Sequence, residues 1–194
     1  MGPREEGCEE RYVGKTYSAI DEGLANFIRE QRVFFVATAP RADEGHANLS
    51  PKGLEGLRVL GPRCVAYLDL VGSGIETAAH LRENGRIVLM FCSFEGPPRI
   101  LRLHGRGEVV EPGDGAWQEL AASFPPYDNA RAIIRVDVTR IADSCGYGVP
   151  LYQYRGDRKQ LFDWSQRKGS DGLARYKADE NRLSLDGLPG LRRV

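Results

Sequence analysis

Three polar side chains at alternate positions, Asn48, Ser50 and Lys52, follow an apolar segment of the chain. Alternate residues of a β-strand point to the same side, so an amide, a hydroxyl and an ammonium group would share one face. Such a face suits a phosphate group or the polar atoms of a heterocycle. Pro51 and Gly53 leave the alternative that this segment is a solvated turn.

A second candidate is the turn Gly72-Ser73-Gly74, which lies between an apolar strand and a helix starting at Ile75. The start of a helix leaves unpaired N–H groups and a positive dipole end, which together bind phosphate. Ser73 and Thr77 add hydroxyl donors. The alternative is a simple tight turn in which Ser73 caps the helix. The spacing also resembles a dinucleotide fingerprint, but Thr77 replaces its third glycine and the repeated strand–helix units are missing.

These two segments predict one anion site if they meet in space, because Lys52 could neutralise a phosphate held at the start of the helix. Asp69 would repel that phosphate, so we expect it to accept hydrogen bonds from the turn or to pair with Lys52 or Arg86. His80 is predicted to be a hydrogen-bonded structural residue, with general acid as the alternative. The histidines have no spacing typical of metal ligands, so no metal site is predicted.

Hydrophobic periodicity and turn residues predict mostly short strands. The strands are expected at residues 33–39, 47–50, 57–60, 64–70, 87–94, 100–110 and 132–141. Helices are expected at about 20–31, with Ser18 and Asp21 at its start, at 75–84, ended by Gly85, and at 117–124. This pattern predicts a mainly β (α+β) fold of six to seven antiparallel strands, a barrel or a sandwich rather than a doubly wound sheet, with flanking helices and a C-terminal helical extension.

The ends of the chain differ in composition from its centre. Residues 1–17 are predicted to form a loose arm, residues 18–143 the barrel domain, and residues 144–194 an extension packed on the barrel. Helical stretches are expected near 160–168 and 172–177. The aromatic residues of the extension, including Tyr152 and Tyr154, are expected to be buried on the barrel, and Arg192 and Arg193 are expected to be solvated.

Composition excludes several classes of protein. The chain has 194 residues, with 27 Lys and Arg against 27 Asp and Glu, so its net charge is zero. This balance gives no general attraction for nucleic acid. No apolar run approaches the roughly 20 residues of a membrane helix, and residues 1–10 are too acidic for a signal peptide. Four cysteines without a CxxC pair are typical of reduced thiols in a cytoplasmic protein.

Several uncommon short motifs occur in one order along residues 18–141. They are Asn48-Leu-Ser-Pro-Lys-Gly53, Tyr67-Leu-Asp-Leu-Val-Gly-Ser-Gly-Ile-Glu-Thr77, His80-Leu-Arg-Glu-Asn-Gly-Arg86, Phe94-Glu-Gly-Pro-Pro-Arg99 and Leu101-Arg-Leu-His-Gly105. In this order they resemble the pyridoxamine 5'-phosphate oxidase-like family, whose members have an FMN-binding split β-barrel. The C-terminal Arg/His pattern of the true vitamin B6 oxidases is not evident, so the resemblance does not name the substrate.

The resemblance implies that the six to seven antiparallel strands form a split β-barrel. It also implies a homodimer with FMN in a cleft at the subunit interface. It places Asn48, Ser50 and Lys52 on the strand that lines the flavin. It places Ser73, Gly74 and Thr77 on the turn that holds the phosphate. Arg99 and Arg102 fall on a later strand, from which they would reach the FMN ring or phosphate from the partner chain. The alternative is that this is an exposed barrel strand.

The favoured hypothesis is therefore a cytoplasmic, FMN-dependent oxidoreductase that transfers hydride or electrons between a reductant such as NAD(P)H and a small organic substrate. The flavin would carry the redox chemistry, which agrees with the lack of a catalytic triad or carboxylate pair. Two alternatives remain open on the same barrel. One is a non-catalytic flavin- or haem-binding sensor, and the other is a reductase that uses a deazaflavin.

Overall fold

The computed structural model describes residues 14–193. Within this range the chain forms eight strands and four helices. In chain order they are β1 (Thr16–Tyr17), α1 (Glu22–Glu30), β2 (Phe34–Thr38), β3 (Asn48–Lys52), β4 (Leu57–Gly61), β5 (Cys64–Leu70), α2 (Glu76–Asn84), β6 (Arg86–Cys92), β7 (Ile100–Val110), α3 (Trp117–Ala121), β8 (Ala130–Ser144) and α4 (Gln160–Glu180).

All strand pairings among these residues are antiparallel and belong to one sheet. The strand order is β3-β2-β6-β7-β8-β5-β4, and β1 adds to β8. The two longest strands, β7 and β8, pair along their lengths at the centre, with one register shift after His104. This topology confirms the mainly β split-barrel prediction and is incompatible with a doubly wound dinucleotide-binding sheet.

Alternation along the strands separates the interior of the barrel from its outside. In β2 the side chains of Phe34, Val36 and Thr38 are buried, whereas Phe35 and Ala37 between them are half-buried. Strand β5 is buried on both faces, because Ala66 and Leu68 pack under the segment that contains α3 while Val65 and Tyr67 face the barrel core. The molecule therefore has a main core inside the barrel and a smaller one outside it.

Local sequence signals account for the helix ends. Asp21 caps α1, and its Oδ1 accepts from the N–H of Leu24 at 2.8 Å; Ser18 does not take part in this cap. Gly85 ends α2 in the left-handed conformation, with φ of 70°, as the sequence predicts. Gly169 has φ of 64° and is not helical, so α4 consists of two helical stretches separated at this residue, as the sequence predicts.

Several elements differ from expectation. Thr16 and Tyr17, placed by the sequence in a loose arm, form β1 against Ile141 and Ala142; residues 1–13 of that arm lie outside the described residues. The predicted burial of the aromatic residues at 152 and 154 is wrong, since Tyr152 is 64% exposed and Tyr154 43%.

Among residues 14–193 no helix has the length and apolarity needed to cross a membrane.

The C-terminal arginines are also not simply solvated. The buried carboxylate of Glu111, which follows β7, accepts from the backbone N–H groups of Arg192 and Arg193 at 2.9–3.1 Å and pairs with the Arg82 guanidinium from α2. A buried charge requires such partners. Glu111 therefore joins β7, α2 and the end of the chain, which no local sequence pattern indicates.

We expect Glu111→Ala to lower the free energy of unfolding by about 3–5 kcal/mol, because it leaves the partly buried Arg82 and two N–H groups without their acceptor. Urea unfolding followed by circular dichroism measures this change. Glu108→Gln is the control, since Glu108 is exposed near the end of β7, three residues before Glu111, and it should change stability by about 0.5 kcal/mol or less. Equal stability of the two variants would contradict the assigned role.

Candidate functional site

The two segments singled out in the sequence converge in space. Residues of β3 and of the β5–α2 turn line one cavity of about 340 Å³, called here the β3–α2 cavity. Six of the predicted site residues line it: Asn48, Ser50, Lys52, Ser73, Gly74 and Thr77. Arg99 and Arg102 do not.

The register of β3 aims its polar side chains into this cavity. Asn48, Ser50 and Lys52 lie opposite the inward-facing residues of β2, so the alternation predicted from sequence is the one observed. Asn48 Nδ2 donates to Thr77 Oγ1 at 3.0 Å, and Ser50 Oγ donates to Asn48 Oδ1 at 3.0 Å. Asn48 thereby ties β3 to the first turn of α2.

The start of α2 has unpaired donors. Ile75, whose side chain cannot cap, occupies the N-cap position. Ser73 does not cap the helix, so the capping role offered as the alternative for this residue is wrong. The backbone N–H groups of Ser73, Gly74 and Glu76 have no hydrogen-bond acceptor among residues 14–193. These donors and the dipole of the nine-residue helix favour an anion at this point.

A buried ion cluster lies directly behind the turn. Asp69, 1% exposed, pairs with Lys52 Nζ at 3.0 Å and with Arg131 Nε at 2.8 Å. Burial by itself raises the pKa of this carboxyl, but the two cations outweigh burial and lower the pKa to about 2. Of the partners expected for Asp69, Lys52 is confirmed. Arg86 instead donates to Asn84 and to the carbonyl of Pro40.

Arg131 shapes the turn from within the protein. Its guanidinium donates to the carbonyl oxygens of Gly72 at 3.0 Å and Gly74 at 2.5 Å, and to Asn181 Oδ1 at 2.9 Å. Asn181, which is fully buried, donates in turn to the Gly72 carbonyl at 2.9 Å. Sequence reasoning missed both residues. The one available signal for Arg131 was a charged residue beside the long apolar run of β8.

A polar chain continues from the cavity into the core. Thr38 Oγ1 lies 2.9 Å from His80 Nδ1 and 3.4 Å from Asn48 Nδ2. Burial lowers the pKa of His80, and its Nε2 has no hydrogen-bond partner among the described residues. His80 is therefore a buried, hydrogen-bonded residue behind the cavity wall. This agrees with the prediction from sequence that His80 has a structural role.

The two remaining predicted site residues occupy other positions. Arg99 is tied to Asp143, with its Nη2 2.9 Å from Oδ2, and also donates to Tyr17 Oη at 2.8 Å. Arg102 lies on the outer face of β7 beside Met90 and donates to Ser144 Oγ at 3.0 Å. In residues 14–193 no cluster of three or more His, Cys, Asp or Glu side chains could hold a metal ion.

The ion cluster predicts a specific pH dependence. Because the pKa of Asp69 is about 2 in the folded chain and about 4 when unfolded, its contribution to stability is complete above pH 4 and disappears as the pH falls toward 2. Lys52→Met should raise the folded pKa. It should therefore cost about 1 kcal/mol above pH 4, the equivalent of roughly one pKa unit, and progressively less toward pH 2.

Urea unfolding of both proteins between pH 2 and pH 7 tests this dependence. Lys159→Met removes an exposed lysine and should show no such pH dependence. A stability difference between wild type and Lys52→Met that stays constant down to pH 2 would disprove the coupling of Lys52 to Asp69.

Comparison with known proteins agrees with the fold and the motifs. The chain is 39% identical over 192 residues to the pyridoxamine 5'-phosphate oxidase family protein ustO of Aspergillus flavus, which covers 90% of this chain and 77% of that protein. A crystal structure of a HupZ variant from Group A Streptococcus aligns with a TM-score of 0.51 at 22% identity, over 64% of this chain and 99% of HupZ. The family model described as Pyridoxamine 5'-phosphate oxidase matches residues 20–145. The chain thus belongs to the pyridoxamine 5'-phosphate oxidase family.

Proposed function

We propose that this protein binds FMN in the β3–α2 cavity and is an oxidoreductase that passes hydride or electrons between a reductant such as NAD(P)H and a small organic substrate. The single observation that carries the proposal is the convergence of β3 and the β5–α2 turn on one cavity. Membership of the pyridoxamine 5'-phosphate oxidase family supports it.

The phosphate of FMN fits the start of α2. The unpaired N–H groups of Ser73 and Gly74 and the hydroxyl of Ser73 are donors, and Lys52 supplies a positive charge. Glu76 also lines the cavity, but its Oε1 accepts from the backbone N–H of Leu185 at 3.3 Å. Lys52 and Arg131 bring two positive charges to the lining against this one carboxylate.

The flavin ring requires an apolar slot with a polar edge. Leu54, Leu68 and Leu70 give the cavity apolar walls, while Asn48 and Ser50 give it amide and hydroxyl groups. A volume of about 340 Å³ lies near the lower limit of ligand pockets, roughly 300–1,000 Å³. The family resemblance implies that a second copy of the chain completes such a site at the subunit interface.

The outside of the sheet offers a face for that second copy. Outward side chains of β3, β2 and β6 lie side by side in register and form an apolar patch, called here the outer-face patch. Its residues are Leu49, Pro51, Phe35, Ala37, Val88 and Met90. Leu49 is 66% exposed. A contiguous apolar face of this kind is typical of an oligomer interface, and Arg102 borders it beside Met90.

Bound FMN would supply the hydride and electron transfer. The chain's own residues would then bind and orient it. The α2 turn and Lys52 would hold the phosphate, and the amide of Asn48 and the hydroxyl oxygen of Ser50 would face the polar edge of the ring. The leucine side chains of the cavity wall keep water from that side of the ring. None of these roles requires a nucleophilic side chain.

Titration of flavin-free protein with FMN, followed by flavin fluorescence, tests the site. Lys52→Met should weaken FMN binding roughly 10- to 100-fold, the equivalent of a lost charge-assisted hydrogen bond of about 1.5–3 kcal/mol. Riboflavin has the same ring and no phosphate, so its affinity should be the same in both proteins. The exposed-lysine variant Lys159→Met should bind both ligands as the wild type does.

Equal FMN affinity in wild type and Lys52→Met would reject the phosphate site. The absorption spectrum and mass of an extracted cofactor distinguish FMN from haem and from a deazaflavin. NAD(P)H consumption by the FMN-loaded protein under air distinguishes an oxidoreductase from a flavin-binding sensor.

The homodimer is tested by light scattering. We expect the wild type to have twice the mass of one chain, and Met90→Glu to be monomeric because it places a charge within the outer-face patch. Leu60→Glu is the matched control, since Leu60 is 39% exposed on β4, at the opposite edge of the sheet. A monomeric wild type, or a Met90→Glu variant that stays dimeric, would contradict this interface.

A further inference from the structure

A second and larger cavity lies at the C-terminal end of α1. It has a volume of about 1290 Å³ and is called here the α1 cavity. The C-terminal end of α1, the β6–β7 turn and residues 152–156 form its walls. It shares no lining residue with the β3–α2 cavity. Its volume exceeds that of a typical pocket for a drug-sized ligand.

Aromatic side chains dominate the apolar lining of this cavity. They are Tyr17, Phe27, Phe94, Tyr152 and Tyr154. Tyr152 packs on Phe94 with ring centroids 5.5 Å apart. Although the two tyrosines of the C-terminal segment contact the barrel, they remain 64% and 43% exposed. A ligand with aromatic rings would cover this exposed aromatic surface.

The wall formed by residues 152–154 is held in place by the barrel. The backbone N–H of Tyr152 donates to the Phe94 carbonyl at 2.9 Å, and the N–H of Tyr154 donates to Glu95 Oε1 at 3.1 Å. The Arg32 guanidinium lies 5.2 Å from the Tyr154 ring centroid. This wall lies beyond residues 20–145, the part of the chain that the family shares.

Three guanidinium groups reach the cavity. Arg99 uses Nε and Nη2 to bind Asp143, which leaves Nη1 without a hydrogen bond among the described residues. Arg32 has one distant ionic contact, 3.8 Å from Glu55, and both side chains are more than half exposed, so this contact is weak. Arg155 has no ionic partner within residues 14–193.

Two of the carboxylates that line the cavity accept hydrogen bonds from other residues of the chain. Asp143 is bound by Arg99 and by the hydroxyl of Tyr17, and Glu95 accepts from the Tyr154 backbone. Glu30 is the remaining acidic residue of the lining. The three guanidinium groups of the lining balance its three carboxylates, and the two guanidinium groups without a close ionic partner among the described residues are those of Arg32 and Arg155. Guanidinium groups bind planar carboxylates through two parallel hydrogen bonds.

We propose that the α1 cavity binds an aromatic carboxylate. The aromatic walls take its rings, and Arg32 and Arg155 bind its carboxylate. The site is built from the family barrel on one side and from the C-terminal segment of this chain on the other. The proposal does not depend on the flavin site, because the two cavities have separate lining residues.

Isothermal titration calorimetry with 2-naphthoate tests the proposal, with 2-naphthylmethanol as a neutral probe of similar shape. We expect saturable binding of 2-naphthoate and at least about tenfold weaker binding of the alcohol. Arg32→Met combined with Arg155→Met should weaken 2-naphthoate about 10- to 100-fold and leave the alcohol unchanged. Arg158→Met, an exposed arginine in the same segment outside the lining, should bind both probes as the wild type does.

Tyr154→Leu separates the aromatic contribution from the ionic one and should weaken both probes to the same degree. FMN affinity in the arginine variants should be unchanged. The proposal is overturned if 2-naphthoate does not bind, if the alcohol binds equally well, or if the double arginine variant keeps its affinity. Displacement of 2-naphthoate by FMN would also overturn it, because the two sites would then not be separate.

Discussion

The carboxylate of Asp69 is the charge around which the candidate site is organised. It lies in the barrel wall, almost without access to water, and a charge in that position is tolerated only with ionic partners. Lys52 comes to it from β3 and Arg131 from β8. Because each cation belongs to a different strand, the ion cluster holds the β5–α2 turn against both.

The same cluster determines what the turn presents to the cavity. From inside the protein, Arg131 donates hydrogen bonds to the carbonyl oxygens of Gly72 and Gly74, and Asn181 donates to that of Gly72. Within the described part of the chain, the N–H groups at the start of α2 are left without acceptors, and the side chain of Ile75 at the N-cap position offers none. An anion is the natural complement of such a helix start, so Asp69 and Arg131 shape the turn while Lys52 belongs both to the ion cluster and to the cavity lining.

Secondary structure was largely predictable because it depends on local periodicity. The alternation in β2 and β3 placed Asn48, Ser50 and Lys52 on one face, and the register confirms it. Gly85 ends its helix as expected. Strand β1 was not predictable, because two residues carry no periodic signal and pair only with a strand more than a hundred residues away.

The ionic contacts of the site were only partly predictable. Asp69 was expected to pair with Lys52 or Arg86, and the structure selects Lys52, whereas Arg131 and Asn181 were not anticipated. The environment of Arg99 was not anticipated either, because Tyr17 and Asp143 come from distant parts of the chain. Side-chain partners of this kind depend on long-range geometry, which local patterns do not contain.

By itself, the sequence determined the strand and helix pattern, the polar face of β3 and the glycine turn before α2. Each of these depends on neighbouring residues and on the two periods of the polypeptide backbone. Only the tertiary structure decided that β3 and the turn share one cavity, that Asp69 and Glu111 anchor distant segments, and that residues 152–156 wall a second cavity. Those features arise when strands remote in the chain become neighbours and buried charges must find partners.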